Sequence, residues 1–390
     1  MTKLYDPELH EPLTETAWDE GFVRDSIAEI VADTDAACRP KLLWPADEWD
    51  GWQSPKPLKT LYVGAAGVVW ALDRLRERGH ADTGLDLAGV ARRALEAWRE
   101  KPGVLTVLPR PEPWNPALYM GETGILLVLW RLDPGDDLAG DLHALVRENL
   151  ANPANDVMWG TPGTLLAALL MREWTSGSRW DDAARKSATT LLEARDPDGL
   201  WPNVLHGEVY RGLGPFHGVV GNVLVLLQQP GHDQLAQETD DLLVRTAVVE
   251  DGLANWPTAE GETDLRVQWD YGSPGIVTCA ASYLDEELLL AGAELAWQAG
   301  PCGDEKGPSL CHGTAGAGWA FLKAFERTQD DRWLERARRF AVHALEQAKR
   351  MRAERGRGRY SLWTGDLGVA LYAADCLDAR TRYPILETWD

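Results

Sequence analysis

Three residues in the last third of the chain carry the side chains that most often bind zinc in proteins. Cys311 and His312 are adjacent, and Asp270 lies upstream of them. Thiolate, imidazole and carboxylate are the usual protein ligands of zinc, and three such ligands leave a fourth position open for chemistry. Neighbouring residues on a bent loop can face one ion, whereas on a helix they diverge by about 100°. The residues therefore predict a metal site, provided that loops bring them together.

Other residues suited to acid–base or electrostatic chemistry lie in similar places. His217 directly precedes Gly218, and Asp156 and Arg266 each lie a few residues before another glycine pair. Each of these residues alone has an ordinary structural explanation, such as a hydrogen bond within its own turn. They become candidates because each occupies a comparable position before a Gly-x-x-Gly pair.

The Gly-x-x-Gly pair, followed each time by an apolar run, recurs along the chain. The first glycines of the seven copies are Gly64, Gly121, Gly160, Gly218, Gly272, Gly313 and Gly365. With 37 glycines, about three or four such pairs are expected by chance, so the pair alone is weak evidence. The apolar run that follows each of the seven pairs is stronger evidence for a structural repeat. Successive copies begin between 39 and 58 residues apart, which suits a repeat of two helices and their loops.

The segments between and after these pairs predict two kinds of helix. The segments that follow the pairs, such as 67–78, 163–174 and 316–328, begin apolar on nearly every face, which is typical of buried helices. Amphipathic stretches alternate with them, at 19–33, 84–100, 138–150, 180–195, 233–248, 284–298 and 331–353. Strand signals are scarce. We expect the first glycine of each pair to adopt the angles of a sharp turn, and the second to allow close packing.

This alternation predicts an all-α fold, a closed α/α toroid. Seven buried helices form the inner ring and seven amphipathic helices the outer ring, in the manner of six-hairpin glycosidase barrels. We expect a single domain over residues 1–390, with a repeat core of about 60–377. All the glycine loops then fall at one end of the toroid, so the residues beside them converge on one cleft.

Composition narrows the range of partners and locations. The net charge of −22 disfavours nucleic acid, because a polyanion would be repelled. No apolar run is long enough to span a membrane, and residues 1–20 lack the features of a signal peptide. Five irregularly spaced cysteines argue against a disulfide framework, which favours the cytoplasm. The 19 tryptophans are expected chiefly to pack the core.

The repeats and two of their loops resemble a known family. The seven helix starts are similar to those of the lanthionine synthetase C-like (LanC-like) proteins over about residues 60–377. Residues 310–316, LCHGTAG, look like the family's Cys-His-Gly zinc motif, and residues 269–275, WDYGSPG, resemble its Trp-Cys-(His or Tyr)-Gly-x-Pro-Gly motif. The resemblance implies a zinc ion bound by Asp270, Cys311 and His312. It also implies four active-site residues: His217, Asp156, Arg266 and Tyr271.

The resemblance further implies a reaction. In this family zinc binds a thiol, lowers its pKa, and delivers it as thiolate to a dehydroalanine or dehydrobutyrine, which forms a thioether. His217 would protonate the enolate carbon or shuttle a proton, Asp156 would assist thiol deprotonation, and Arg266 would hold the developing oxyanion. The implied partner is a peptide or a small thiol such as glutathione.

One position departs from the family pattern. The first metal-binding cysteine of the family is Asp270 here, and the nearest other thiol, Cys279, is expected inside the following helix, pointing away. In one interpretation Asp270 binds zinc through oxygen. The formal charge is then unchanged, but the metal is more Lewis acidic, so a bound thiol ionises more easily and attacks less readily. This would favour hydrolysis or a different thiol reaction over efficient cyclisation.

Two further interpretations remain open. The metal could be lost, leaving carboxylates, His217 and Arg266 in a tryptophan-rich pocket that resembles glycosidase-type α/α barrels, where paired carboxylates act on a sugar. Alternatively, the protein could be non-catalytic and capture a basic peptide on an acidic concave surface.

Overall fold

The chain folds mainly as helices. The computed structural model describes residues 4–51, 56–102, 115–205 and 207–390. Within these ranges there are fifteen helices: α1 (Glu20–Ala37), α2 (Glu48–Gly51), α3 (Ala65–Glu77), α4 (Leu87–Glu100), α5 (Glu122–Leu132), α6 (Asp136–Glu148), α7 (Thr161–Thr175), α8 (Ser178–Glu193), α9 (Val219–Leu226), α10 (Asp233–Thr246), α11 (Ser273–Ala280), α12 (Glu286–Ala299), α13 (Thr314–Thr328), α14 (Asp331–Arg355) and α15 (Asp366–Asp378).

The seven odd-numbered helices from α3 to α15 form the inner ring. Each begins directly after the first glycine of a repeat pair, which caps the helix. Each inner helix contacts the next one, and α15 contacts α3, which closes the ring. Every residue from Ala65 to Leu75 is buried, as is every residue from Thr314 to Ala324. The prediction of helices buried on all sides is confirmed.

Helix α1 and the even-numbered helices from α4 to α14 form the outer ring. Each of them contacts at least one inner helix. In α4 the buried residues recur at helical spacing and define one face: Leu87, Val90, Ala91, Ala94, Leu95 and Trp98. A single apolar stripe is what an amphipathic helix needs to cover a ring of buried helices. The predicted toroid of seven inner and seven outer helices is therefore confirmed in the described part of the chain.

The glycine pairs are required mainly because backbones approach each other closely. A Cβ atom added to the second glycine of any pair would lie between 1.7 and 2.4 Å from the carbonyl oxygen six residues earlier. Of the seven first glycines, Gly272 alone has a positive φ, 97°. The expected turn angles are thus found only there. At first glycines such as Gly160 and Gly313, an added Cβ would clash with backbone at 1.5 and 2.2 Å.

Several elements were not predicted from the sequence. Two short antiparallel hairpins pair β1 (Asn203–Leu205) with β2 (Glu208–Tyr210), and β3 (Val248–Glu250) with β4 (Leu253–Asn255). The segment 380–390 packs into the core: Tyr383 is fully buried, and its ring stacks on Trp269 at 4.6 Å. Of the described tryptophans, seven have no more than 2% of their surface exposed, in line with their expected role in core packing: Trp98, Trp180, Trp256, Trp269, Trp319, Trp333 and Trp363.

Two findings bear on the expectations from composition. All five cysteines are free thiols. Among the described helices, none combines the length and the apolar character that crossing a bilayer requires.

Candidate metal centre and active site

Backbone hydrogen bonds connect the glycine loops around one rim of the toroid. In four of the loops, the backbone N–H of the residue two positions before the first glycine donates to the carbonyl of its counterpart on a neighbouring loop. Asp270 N donates to Cys311 O at 3.1 Å, Cys311 N to Trp363 O at 2.9 Å, Trp363 N to Tyr62 O at 3.3 Å, and Tyr62 N to Tyr119 O at 3.0 Å. We call these five residues the rim belt. The belt places side chains from distant parts of the sequence side by side.

The rim belt brings the three predicted metal ligands together. One potential ligand atom from each of Asp270, Cys311 and His312 lies within 4.8 Å of the other two. His312 Nε2 lies 3.1 Å from Asp270 Oδ2 and 3.8 Å from Cys311 Sγ. Asp270 and Cys311 are buried, whereas His312 is partly exposed. A centre that is buried on one side and open on the other can bind an ion and still admit a substrate.

The electrostatics of this cluster suit a cation. Asp270 Oδ1 is buried and has no hydrogen-bond partner in the described structure. Burial disfavours protonation of His312, but the Asp270 carboxylate and the Cys311 sulfur outweigh it and raise the His312 pKa well above its ordinary value. Burial, reinforced by Asp270, raises the pKa of Cys311, although His312 opposes this. A sulfur, a nitrogen and an unsatisfied carboxylate oxygen form a donor set that fits zinc.

Two neighbours of the cluster were missed by sequence analysis. The Tyr62 hydroxyl donates a hydrogen bond to Cys311 Sγ at 3.1 Å. The ring of Trp49, in α2, meets the His312 ring edge to face at 5.6 Å. Tyr62 could have been found from the repeat, because it lies two residues before Gly64 just as Cys311 lies two residues before Gly313. Trp49 lies outside the repeats and gave no such signal.

His217 and Asp156 form a hydrogen-bonded pair. His217 Nδ1 lies 2.7 Å from Asp156 Oδ2, and Asn203 Nδ2 donates to the same oxygen at 2.7 Å. The backbone N–H of Trp159 donates to Asp156 Oδ1 at 2.7 Å. Asp156 has no exposed surface, whereas the side chain of His217 is 20% exposed. Any contribution of Asp156 to proton transfer therefore passes through His217.

Tyr271 lies near both His217 and Arg266. Its ring centroid is 6.4 Å from that of His217 and 5.1 Å from the Arg266 guanidinium. Burial, with the charge of Asp270, raises the Tyr271 pKa, so the phenol stays neutral and can donate a hydrogen bond. Arg266 also pairs with Asp264 at 2.6 Å. Asp264 thus holds the guanidinium beside the cleft.

Cys279 lies away from the metal centre. It is in the last turn of α11 and is fully buried, and the charged groups that affect its pKa are Glu387 and Lys323. Cys279 is not part of the cluster of potential metal ligands that Asp270, Cys311 and His312 form. Cys279 therefore does not replace the missing family cysteine, as expected from its position in the sequence.

Comparisons with known proteins identify the family and the fold. Residues 58–388 match the family described as "Lanthionine synthetase C-like protein". The chain is 31% identical over 191 residues to "Glutathione S-transferase LANCL1" of Danio rerio, covering 45% of each protein. It is 25% identical over 253 residues to "LanC-like protein GCL1" of Arabidopsis thaliana, covering 60% of this chain and 57% of that one. The alignments thus span about half the length of these curated relatives.

A solved structure shares the fold. The structure named "Nisin cyclase" superposes with a TM-score of 0.61 at 17% sequence identity, covering 92% of this chain and 94% of that one. At this level of sequence identity, the similarity shows that the two proteins share a fold, the double ring of helices.

Proposed function

The chain belongs to the lanthionine synthetase C-like family, and from this premise we propose that Asp270, Cys311 and His312 hold a zinc ion at a site that adds a thiol to dehydroalanine or dehydrobutyrine. The observation that carries the proposal is the convergence of three donor atoms within 4.8 Å, beside a buried Asp270 oxygen without a hydrogen-bond partner in the described structure. An unsatisfied buried carboxylate oxygen is costly unless a cation or a donor meets it.

The ligands determine what the ion would supply. A zinc ion held here would act as a Lewis acid that lowers the pKa of a thiol. Asp270 replaces the family's thiolate with a weaker electron donor, which makes the centre more Lewis acidic. We therefore expect a thiol to ionise readily at this site but to attack more slowly than at a site with two cysteines.

The protein's own residues would handle the proton and the developing charge. In the addition the S–H bond breaks, the sulfur bonds to the β-carbon of the dehydroamino acid, and the α-carbon gains a proton. His217, whose ring is hydrogen-bonded to Asp156 at 2.7 Å, would deliver that proton. Arg266 and the neutral phenol of Tyr271 would stabilise the enolate oxygen that forms before protonation.

A basic pocket near the metal centre supports an anionic thiol as the substrate. Arg359 lies 5.1 Å from the ring of Trp49, which in turn contacts His312. The pocket beside it contains five cationic residues and only two acidic ones, Glu305 and Asp366. The cationic residues are Lys306, Arg352, Arg355, Arg357 and Arg359. Arg359 pairs with Asp50 at 2.6 Å, Arg355 with Asp47 at 3.2 Å and Lys306 with Glu305 at 3.0 Å. Arg352 and Arg357 would therefore be the main attraction for the carboxylates of a small peptide thiol such as glutathione.

The other interpretations have less support. A sugar-cleaving mechanism needs two carboxylates that reach the substrate, but Asp156 is fully buried and already accepts three hydrogen bonds. Capture of a basic peptide would leave the converging donor atoms of Asp270, Cys311 and His312 without a role. Five free thiols suit a reducing compartment, so we place this chemistry in the cytoplasm.

The reaction can be tested directly by mass spectrometry. The zinc-loaded protein is incubated with a dehydroalanine peptide and glutathione, and we expect the peptide to gain the mass of the thiol faster than without protein. The Cys311→Ser variant should lose this acceleration. Cys279→Ser, which alters a buried thiol away from the site, should keep it. Acceleration that persists in Cys311→Ser, or that is absent from the wild type, would contradict the proposal.

A further inference from the structure

We propose that Tyr62 is a positioning residue of the metal centre: its hydroxyl orients the Cys311 sulfur toward the ion and draws electron density away from it. The inference rests on the proposed zinc site and adds a residue from the first repeat to it. Tyr62 is almost fully buried, and its hydroxyl donates to Cys311 Sγ at 3.1 Å.

The position of the Tyr62 side chain is fixed from several directions. Its backbone N–H donates to Tyr119 O, and its carbonyl accepts from Trp363 N. Its ring lies against Phe216 at 5.8 Å and is nearly parallel to that of Trp363 at 6.3 Å. A buried phenol held in this way loses little entropy when it donates to the sulfur, so the hydrogen bond is pre-organised.

The closure of the inner ring creates this contact. Tyr62 and Cys311 are 249 positions apart, and the loop of Trp363 lies between them in the rim belt. Both residues occupy the second position before the first glycine of a repeat. The first repeat therefore contributes to a site whose proposed metal ligands all come from the fifth and sixth repeats.

The consequence concerns which sulfur reacts. With a thiol substrate at the ion, two sulfurs would be present there, that of Cys311 and that of the substrate. A hydrogen bond donated to a metal-bound thiolate weakens the thiolate's donation to the metal and its nucleophilicity, which is one way in which an outer partner tunes a metal ligand. Tyr62 would thus keep Cys311 a ligand and leave the substrate thiolate as the stronger nucleophile.

The experiment compares Tyr62→Phe with Tyr119→Phe. Tyr119 occupies the same position in the second repeat, and its buried hydroxyl has no hydrogen-bond partner in the described structure, so its removal controls for loss of a buried oxygen. In the cobalt-substituted protein we expect the thiolate-to-cobalt absorption band to move to longer wavelength in Tyr62→Phe only. In the zinc protein, alkylation of Cys311 by iodoacetamide should accelerate about tenfold in the same variant.

The possible failures are distinguishable. If the wild-type protein shows a thiolate-to-cobalt band and Tyr62→Phe changes neither that band nor the alkylation rate, the role of Tyr62 is overturned while the metal site stands. Equal changes in Tyr119→Phe would also overturn it, because the effect would then be one of packing. A wild-type protein without any such band contradicts the metal site and this inference with it.

Discussion

The rim belt has a ligand side and an aromatic side, and the two differ in side chains rather than in backbone. On the ligand side, the loops before Gly272 and Gly313 bring Asp270 and Cys311 into one cluster with His312. On the aromatic side, three other loops present Tyr62, Tyr119 and Trp363 at the same position, joined by the same pattern of hydrogen bonds. One scaffold thus repeats around the ring, and the residue at this position decides whether a loop adds a potential metal ligand or an aromatic ring to the belt.

The aromatic side still affects the chemistry. Phe216 meets Tyr119 at 4.9 Å and Trp363 at 4.7 Å, both edge to face, and all three rings are buried. Charges interact more strongly where water is excluded. The asymmetry of the rim therefore separates two tasks: one half supplies ligands and proton donors, and the other excludes solvent from them.

If the loops on both sides of the rim belt share one backbone geometry, glycine substitutions on either side should destabilise the fold to a similar extent. Gly67→Ala would place a Cβ 2.3 Å from Leu61 O, and Gly316→Ala would place one 1.9 Å from Leu310 O. We expect each to lower the free energy of unfolding by about 3 kcal/mol or more, measured by urea denaturation. Gly140→Ala, in α6 with open space around it, should raise it by about 0.5–1 kcal/mol. A large loss at Gly316 alone would show that the two sides differ in backbone.

The proton-transfer pair should matter for rate and not for metal binding. We expect His217→Ala and Asp156→Ala each to reduce kcat/KM for thiol addition by about 100-fold or more. The double variant should be little worse than His217→Ala, because Asp156 acts through His217. Zinc content should not change. Additive losses, or loss of zinc, would show that Asp156 has a separate role.

A buried carboxylate on the aromatic side should make stability depend on pH. Burial raises the pKa of Asp366, at the start of α15, from 3.8 to about 7, although Arg352 opposes this. The folded state therefore binds an extra proton between those pH values, and stability falls as pH rises from about 4 to 7. Between pH 5 and pH 8 we expect the wild type to lose on the order of 2 kcal/mol relative to Asp366→Asn. Parallel pH profiles in urea denaturation would contradict this assignment.

The smallest effect on stability and on the addition rate is expected from substitution of Asp264, the ion-pair partner of Arg266. Asp264 and Arg266 are both partly exposed, and exposed ion pairs contribute less than about 1 kcal/mol to stability. Asp264→Ala should leave the melting temperature nearly unchanged and reduce the addition rate only slightly, whereas Arg266→Ala should reduce it much more. Equal rate losses in the two variants would mean that Arg266 acts only when Asp264 holds it.

The sequence predicted the double ring because its signals are local. A glycine pair followed by an apolar run specifies where each inner helix begins, and α7 and α13 begin within two residues of the predicted 163 and 316. The convergence of Asp270, Cys311 and His312 was predictable for the same reason. The loops share one geometry, so residues near equivalent positions meet at one rim.

The rest depends on contacts that a single sequence does not reveal. The hydrogen bond from Tyr62 to Cys311 exists only because α15 packs against α3 and closes the ring. Tyr383 enters the core from a segment beyond the predicted repeat core, and no periodic pattern marks it. The dependence of Asp156 on His217 also required coordinates, because spacing shows proximity but not which atoms are buried.

Metal stoichiometry tests the central claim most directly. Zinc per chain would be measured by inductively coupled plasma mass spectrometry for the wild type, Asp270→Ala, Cys311→Ala and the control Cys279→Ala. We predict one zinc per chain in the wild type and in Cys279→Ala, and little or none in the other two. Zinc content that is unchanged in both Asp270→Ala and Cys311→Ala, or a zinc-loaded preparation that retains no metal in the wild type, would contradict the account.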